Sequence, residues 1–235
     1  MSAPQIIATD SAVAPGNLIQ LTSLPISGPN QAIVVVGLSS GNSVISTITP
    51  TSTSGPVSAT FTQAVAISFF GVGASIWYSV DPSGPIEGLD VVMTTISDAR
   101  ACGMIVGDMN LDNPLDDVDS DGLTATTLID TDPAAASEAD ELLVAGFACT
   151  GTMVPGITGA PAWDDTFPPV FVSGDLAAAT DTSIKAAGSY SGQRNTTVNH
   201  TGAVGAIATF RSSAVIQTFA GTNISNRDLL AKQAS

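Results

Sequence analysis

Residues 31–38 read QAIVVVGL, a continuous apolar run that closes on Ser39-Ser40-Gly41. The run is the length of a strand rather than of a helix, and its successive valines favour an extended backbone. An apolar stretch with no polar alternate is the pattern of a strand buried on both faces. Outward from it, Asn17 to Ile26, Val44 to Ile48 and Val65 to Phe70 continue as short β-like runs. In Ala74 to Val80 the alternation sets Ile76, Tyr78 and Val80 on one face and Ser75, Trp77 and Ser79 on the other. Asp81-Pro82-Ser83-Gly84-Pro85 then turns the chain.

Leu89 to Ile96, Cys102 to Met109, Glu141 to Thr150, Ile184 to Tyr190, Thr196 to His200 and Val204 to Arg211 read as further strands, with a hairpin turn at Gly202 between the last two. Asp108 to Asp132 reads as an acidic loop. Asp132-Pro133 has the form of a helix start, leading into a turn or two over Ala134 to Ala139. No repeat of fixed period is visible. The expected organisation is an N-terminal arm over 1–16, one antiparallel all-β sandwich over 17–220 and a C-terminal tail over 221–235. The arms are segments ordered only by a partner.

The composition supports one packed domain. Of 235 residues, 44% are hydrophobic and 11% charged, and 22 glycines with 14 prolines cut the apolar runs short. Six Lys and Arg against 21 Asp and Glu give a net charge of −15, which repels a phosphate backbone and argues against nucleic acid. No basic residue precedes Arg100, and 11 of the 21 acids lie between Asp108 and Glu141. The opening MSAPQIIATD lacks the basic region of a secretory signal, so synthesis in the cytoplasm is expected. Phe61 to Val80 is uncharged but broken by Ser, Thr, Gln and Gly, and reads as two core strands rather than a membrane span. Cys102 and Cys149 sit in apolar contexts that suit buried thiols, with a pairing between them left open.

Several constellations could carry chemistry. Gly37-Leu38-Ser39-Ser40-Gly41 satisfies G-x-S-x-G, and Asp175 or Asp181 with His200 would follow in hydrolase order. A nucleophile elbow leads into a helix, whereas the β-branched NSVISTITP of 42–50 follows here, so Ser39 reads as a turn residue. His200 is the single histidine, which removes a multi-imidazole zinc site. Asp164 and Asp165 beside Trp163 and Phe167 could form a sugar-contact patch, or plug the sandwich end. Asp117, Asp119 and Asp121, with Gly122, match the first half of a calcium loop, D-x-D-x-D-G. The second half fails, because Leu128 stands where a bidentate Glu belongs. Asp112, Asp116 or Asp130 could complete another oxygen shell.

The succession AIVVVGLSS, VISTITP, ASIWYSVDPSGP, LDVVMTTIS, ELLVAGFACTG, SIKAAGSYSG and TTVNHTGAVGAIATFRSS resembles a β-sandwich of the jelly-roll type found in phage structural proteins and bacterial surface proteins, over residues 18–213. The resemblance implies display or contact rather than catalysis. It leads to the expectation of a capsid cement or decoration protein on a bacteriophage virion, bound to capsid or other virion proteins and self-associated as a homotrimer. The terminal arms would reach neighbouring subunits, and Arg194, Arg211, Arg227 and Lys232 would dock on carboxylates below. The alternatives are a carbohydrate-binding or adhesive surface domain, supported by Trp163, Phe167 and Tyr190, and a serine hydrolase built on Ser39.

Overall fold

The computed structural model describes residues 4–26, 30–95, 98–124, 127–153, 158–160, 171–173, 176–181, 186–196, 199 and 201–213. Among them there is no helix, and every sheet is antiparallel. The first half contributes β1 (Gln5–Ala14), β2 (Leu18–Leu21), β3 (Gln31–Ser39), β4 (Ile45–Thr51), β5 (Thr62–Phe69), β6 (Val72–Ser79), β7 (Gly88–Met93) and β8 (Ala99–Gly107). The second half contributes β9 (Leu115–Leu123), β10 (Leu128–Asp130), β11 (Ala134–Ala136), β12 (Leu142–Cys149), β13 (Thr158–Ala160), β14 (Phe171–Ser173), β15 (Leu176–Asp181), β16 (Gly188–Asn195) and β17 (Ala203–Phe210).

The two halves repeat one topology. In the first, a five-stranded sheet β1-β8-β3-β6-β5 is backed by a three-stranded sheet β2-β7-β4, so the first strand lies beside the last. In the second, β9-β17-β12-β15-β14 takes the same roles in the same chain order. There β16 is flanked on one side by β10 and β11, an interrupted counterpart of β2, and on the other by β13. Each half is an eight-position jelly roll. The correspondence extends to single residues: Ile7 is the extra residue of a bulge on β1 opposite Val106 and Ile105, and Asp116 is the extra residue on β9 opposite Phe210 and Thr209. The Asp10 carboxylate accepts from the Ser11 N–H at 2.8 Å, and in the matching place the Asp119 carboxylate accepts from the Ser120 N–H at 2.7 Å. An amide–carboxylate pair also recurs across the outer strands, as Gln20–Asp90 at 3.0 Å and Gln193–Asp130 at 2.9 Å.

The five-stranded sheets stack face to face with their strand orders running in opposite senses, β5 over β9 and β17, β6 over β17 and β12, β3 over β12 and β15. That arrangement is a pseudo-twofold pair within one chain. Four β layers result, with three apolar interfaces. The central one joins Val34, Val36, Ala74, Ile76 and Met104 to Val144, Ala206, Ala208 and Phe210. A second lies between β2-β7-β4 and the first large sheet, with Ile19, Leu21, Ile33, Val35, Leu89 and Val91. A third lies under β10, β11 and β16, with Ile129, Leu143, Phe147, Tyr190 and Ile207. The two middle layers are covered on both sides, which is why β3, β12 and β17 are apolar without alternation. At the central interface Gly146 lets the sheets close, since a Cβ there would stand 2.8 Å from Val36 Cγ1 and 3.0 Å from Leu38 Cδ2. Tyr78 and Phe210 meet edge to face with ring centroids 5.6 Å apart.

Several expectations change. Residues 5–14 are not an arm outside the sandwich but strand β1, hydrogen-bonded along β8. The acidic stretch 108–132 is not one loop, because Leu115 to Leu123 form β9 on the edge of the second large sheet. Ala134 to Ala136 pair with β16 as a strand instead of starting a helix, since Tyr190, Ser189 and Gly188 supply a ladder that a short alanine helix could not match. Gly202 does not turn a hairpin, because β16 and β17 belong to different layers. The uncharged segment 61–80 is the β5–β6 hairpin, turned at Phe70 (φ 43°) and Gly71 (φ 87°). No helix among the described residues is long and apolar enough to cross a membrane. The tail 221–235 lies outside the described residues.

Candidate functional site

Ser39 ends β3 and is fully buried. Its hydroxyl donates to the Ser43 carbonyl at 2.6 Å and accepts from the Ser43 N–H at 3.0 Å, so both of its roles close the loop between β3 and β4. A nucleophile needs an open face and a base beside it, and this oxygen is committed to a turn. The second jelly roll ties the same loop differently, through Thr150 Oγ1 and Thr201 Oγ1 at 3.0 Å. His200, Asp175, Trp163, Asp164, Asp165 and Phe167 lie outside the described residues, as does the side chain of Asp181. Tyr190 is described: its hydroxyl is hydrogen-bonded to the Ala186 carbonyl and its ring is packed under the outer layer.

The calcium-loop residues Asp117, Asp119 and Asp121 fall at alternate positions of β9 and therefore share one face. A strand rises about 3.3 Å per residue, so Asp117 and Asp121 are separated by roughly 13 Å along it, whereas calcium holds its oxygens at about 2.3 to 2.6 Å. Two of the three are already engaged: Asp117 accepts from the Ala135 N–H at 2.8 Å, and Asp119 from the Ser120 N–H. Among the described residues no group of three or more acids, histidines or cysteines is placed to hold a metal ion. Asp119, Asp121 and Asp130 instead act on Asp132 through their charge. Burial and those three charges raise the Asp132 carboxyl above the usual carboxylate range. The corresponding face of the first jelly roll carries Asp10, Ala12, Gln20 and Thr22, with one carboxylate that accepts from the Thr22 N–H at 2.7 Å and the Ser23 N–H at 2.9 Å.

Asp116, a bulge residue with no signal in a sequence pattern, anchors the most connected ionic cluster among the described residues. It pairs with Arg211 and accepts from both the N–H and the hydroxyl of Ser137. Glu141, 1% exposed, lies against it and accepts from the Glu138 N–H at 3.0 Å. Burial pushes the Glu141 carboxyl up to about 7, and Asp116 adds to the rise, against the Glu138 N–H and Arg211. Burial also acts to raise Asp116, but the Ser137 groups, Glu141 and Arg211 outweigh it and hold that carboxyl below the usual range. Of the two acids, Glu141 is therefore the one that takes up a proton first as pH falls. Arg211 and the fully buried Arg194 are thus turned into the fold and not toward a partner's carboxylates, correcting their expected docking role. Cys102 and Cys149 are both buried, free thiols.

A concavity of about 490 Å³ lies where the chain passes from one jelly roll to the other, lined by Asn30, Asp108, Asn110, Leu111 and Asp112 among others. Its described side chains offer the carboxylates of Asp108 and Asp112, the amides of Asn30 and Asn110 and the hydroxyl of Ser213. No family model matches the chain, and no curated protein or solved structure matches it.

Proposed function

We propose that this chain is a structural protein of a bacteriophage virion, a capsid cement or decoration subunit that binds and stabilises the shell. The observation that carries the reading is the distribution of charge over a duplicated scaffold. Residues 1–80, which supply β1 to β6, contain one charged side chain, Asp10, while 11 acids fall between Asp108 and Glu141 on the second jelly roll. A half with few charges, Asp10, Asp81, Glu87, Asp90, Asp98 and Arg100 up to the end of β8, suits close contact with a protein lattice, and a more acidic half directed to solvent keeps many crowded copies from adhering to one another. The stacked layers supply a stiff body, and the buried hydroxyls and carboxylates named above are spent on loops and strand ends. The reading assigns contact work to the chain and no reaction.

The test is peptide mass spectrometry of purified virions, followed by rebinding of the purified chain to particles stripped of it. Stoichiometric recovery and saturable rebinding are expected. Absence from particles, together with retention on an immobilised glycan panel, would favour an adhesive surface domain instead.

A further inference from the structure

We infer that β1 is a self-association strand, through which two copies of this chain join their first large sheets edge to edge. The duplication makes the argument possible, because β1 and β9 occupy the same place in their jelly rolls and can be compared position by position. Each is the outer strand of its sheet, and among the described residues neither has a strand on its far side. An open edge is a template for another strand unless charge, proline or a bulge blunts it.

β9 is blunted by charge. It carries Asp116, Asp117, Asp119 and Asp121, where β1 has Ile7, Ala8, Asp10 and Ala12. The sole charge on β1 is drawn inward, with both oxygens of Asp10 occupied by the N–H groups of Ser11, Thr22 and Ser23. Both strands bulge near their start, and beyond the bulge β1 runs regularly from Ala8 to Ala14. The faces differ as well. Gly122 of β9 is covered by Phe69 of β5, while Val13, which stands in its place on β1, is 54% exposed. Ile7, 51% exposed, shares that open face with Val13, and the exposed Thr9 and Ser11 between them are uncharged.

Charge selects the occupant. Two chains of net charge −15 repel over most of their surface, and a basic partner would be drawn to the acidic half. The β1 edge is a neutral strip on which like copies can meet, and an antiparallel pair about a twofold axis requires only the same strand twice. The β5 edge is also uncharged, but beyond its bulge it pairs regularly only over Val65 to Phe69, against Ala8 to Ala14 on β1, and it lies over the acidic β9.

The experiment measures the native mass of the full chain by sedimentation and native mass spectrometry over a range of concentrations. The comparison is a Thr9→Lys/Ser11→Lys variant and a Thr62→Lys/Ser68→Lys variant, which change the net charge equally. The wild type and the β5 variant are expected as even-numbered assemblies, and the β1 variant at half the wild-type mass with an unchanged circular dichroism spectrum. Hydrogen exchange supplies a second readout on the unmodified chain: the alternate amides of 8–14 that point away from β8 should be protected at high concentration and lose that protection on dilution. A wild-type mass of one or three chains, a β1 variant that keeps the full mass, or exchange at 8–14 independent of concentration would overturn the inference. A mass of three leaves the virion reading standing, whereas an even mass with no rebinding to particles removes the virion reading and leaves this one.

Discussion

Glu141 is buried near Asp116, which pairs with Arg211, and burial together with the Asp116 charge holds the Glu141 carboxyl above its ordinary range. The carboxyl of Glu141 titrates at about 7 in the fold against an ordinary value of 4.5. A raised carboxyl binds its proton more tightly folded than unfolded, so its contribution is complete below about pH 4.5 and is lost as pH rises through 7. Melting temperature should therefore fall between pH 5 and 8, and Glu141→Gln, which keeps the neutral form, should flatten that slope. The loss across the window is of the order of 3 kcal/mol. A wild-type melting temperature independent of pH over that range would contradict the raised Glu141 carboxyl.

Replacing Ser39 with alanine should destabilise the chain by about 1 to 3 kcal/mol, because the buried Ser43 N–H loses its acceptor. A fluorophosphonate probe should label neither form. Denaturant melts read the first outcome and in-gel fluorescence the second, and labelling that disappears in Ser39→Ala would restore the hydrolase reading.

Gly146→Val should cost about 2 kcal/mol or more, since even its first carbon would meet Val36 and Leu38 of the opposing sheet. Gly16→Ala, with nothing within 4 Å of the added carbon, should change the denaturation midpoint little. Equal midpoints for the two variants would argue against face-to-face packing of the large sheets.

Millimolar calcium should raise the melting temperature no more than magnesium at equal concentration. The carboxylates of Asp117, Asp119 and Asp121 are strung along a strand, so divalent cations act on them by screening and not by a shared shell. A calcium-specific rise abolished by Asp119→Asn would reinstate a cation site.

Strand content was legible in residues whose burial is two-sided or alternating. QAIVVVGL became β3, ELLVAGFACT gave β12, and the alternation of 74–80 placed Ile76 and Tyr78 in the central core with Trp77 on the reverse face. β9 was illegible because aspartates are poor strand formers, and its extended form rests on the ladder with β17. β1 hid among small residues that pack through alternate alanines. The duplication leaves no fixed period in the sequence because its identities are confined to short pairs, such as Leu18-Ile19 with Leu128-Ile129 and Asp10-Ser11 with Asp119-Ser120, while spacing between them drifts. Of the candidate site, Ser39 reads as a turn residue in the sequence and lies at the buried end of β3, where its hydroxyl holds the loop that follows. The Asp116–Glu141 pair depends on a bulge and a distant loop, which no local pattern encodes.

The pairing of first strand with last also sets a schedule for folding. β1 ends at Ala14, yet its partner β8 is complete only at Gly107, and β9 likewise waits for β17 to finish at Phe210. At a synthesis rate of about 5 to 20 residues per second, β1 spends roughly 5 to 20 s outside the ribosome before its ladder can form. Pairings so distant in sequence are slow to close in any case. The first jelly roll can close before the second has been made, and its large apolar face must then wait for the second half to cover it. Newly made chains are thus most prone to sticking in that interval, and slowing translation after residue 107 should lower the soluble yield.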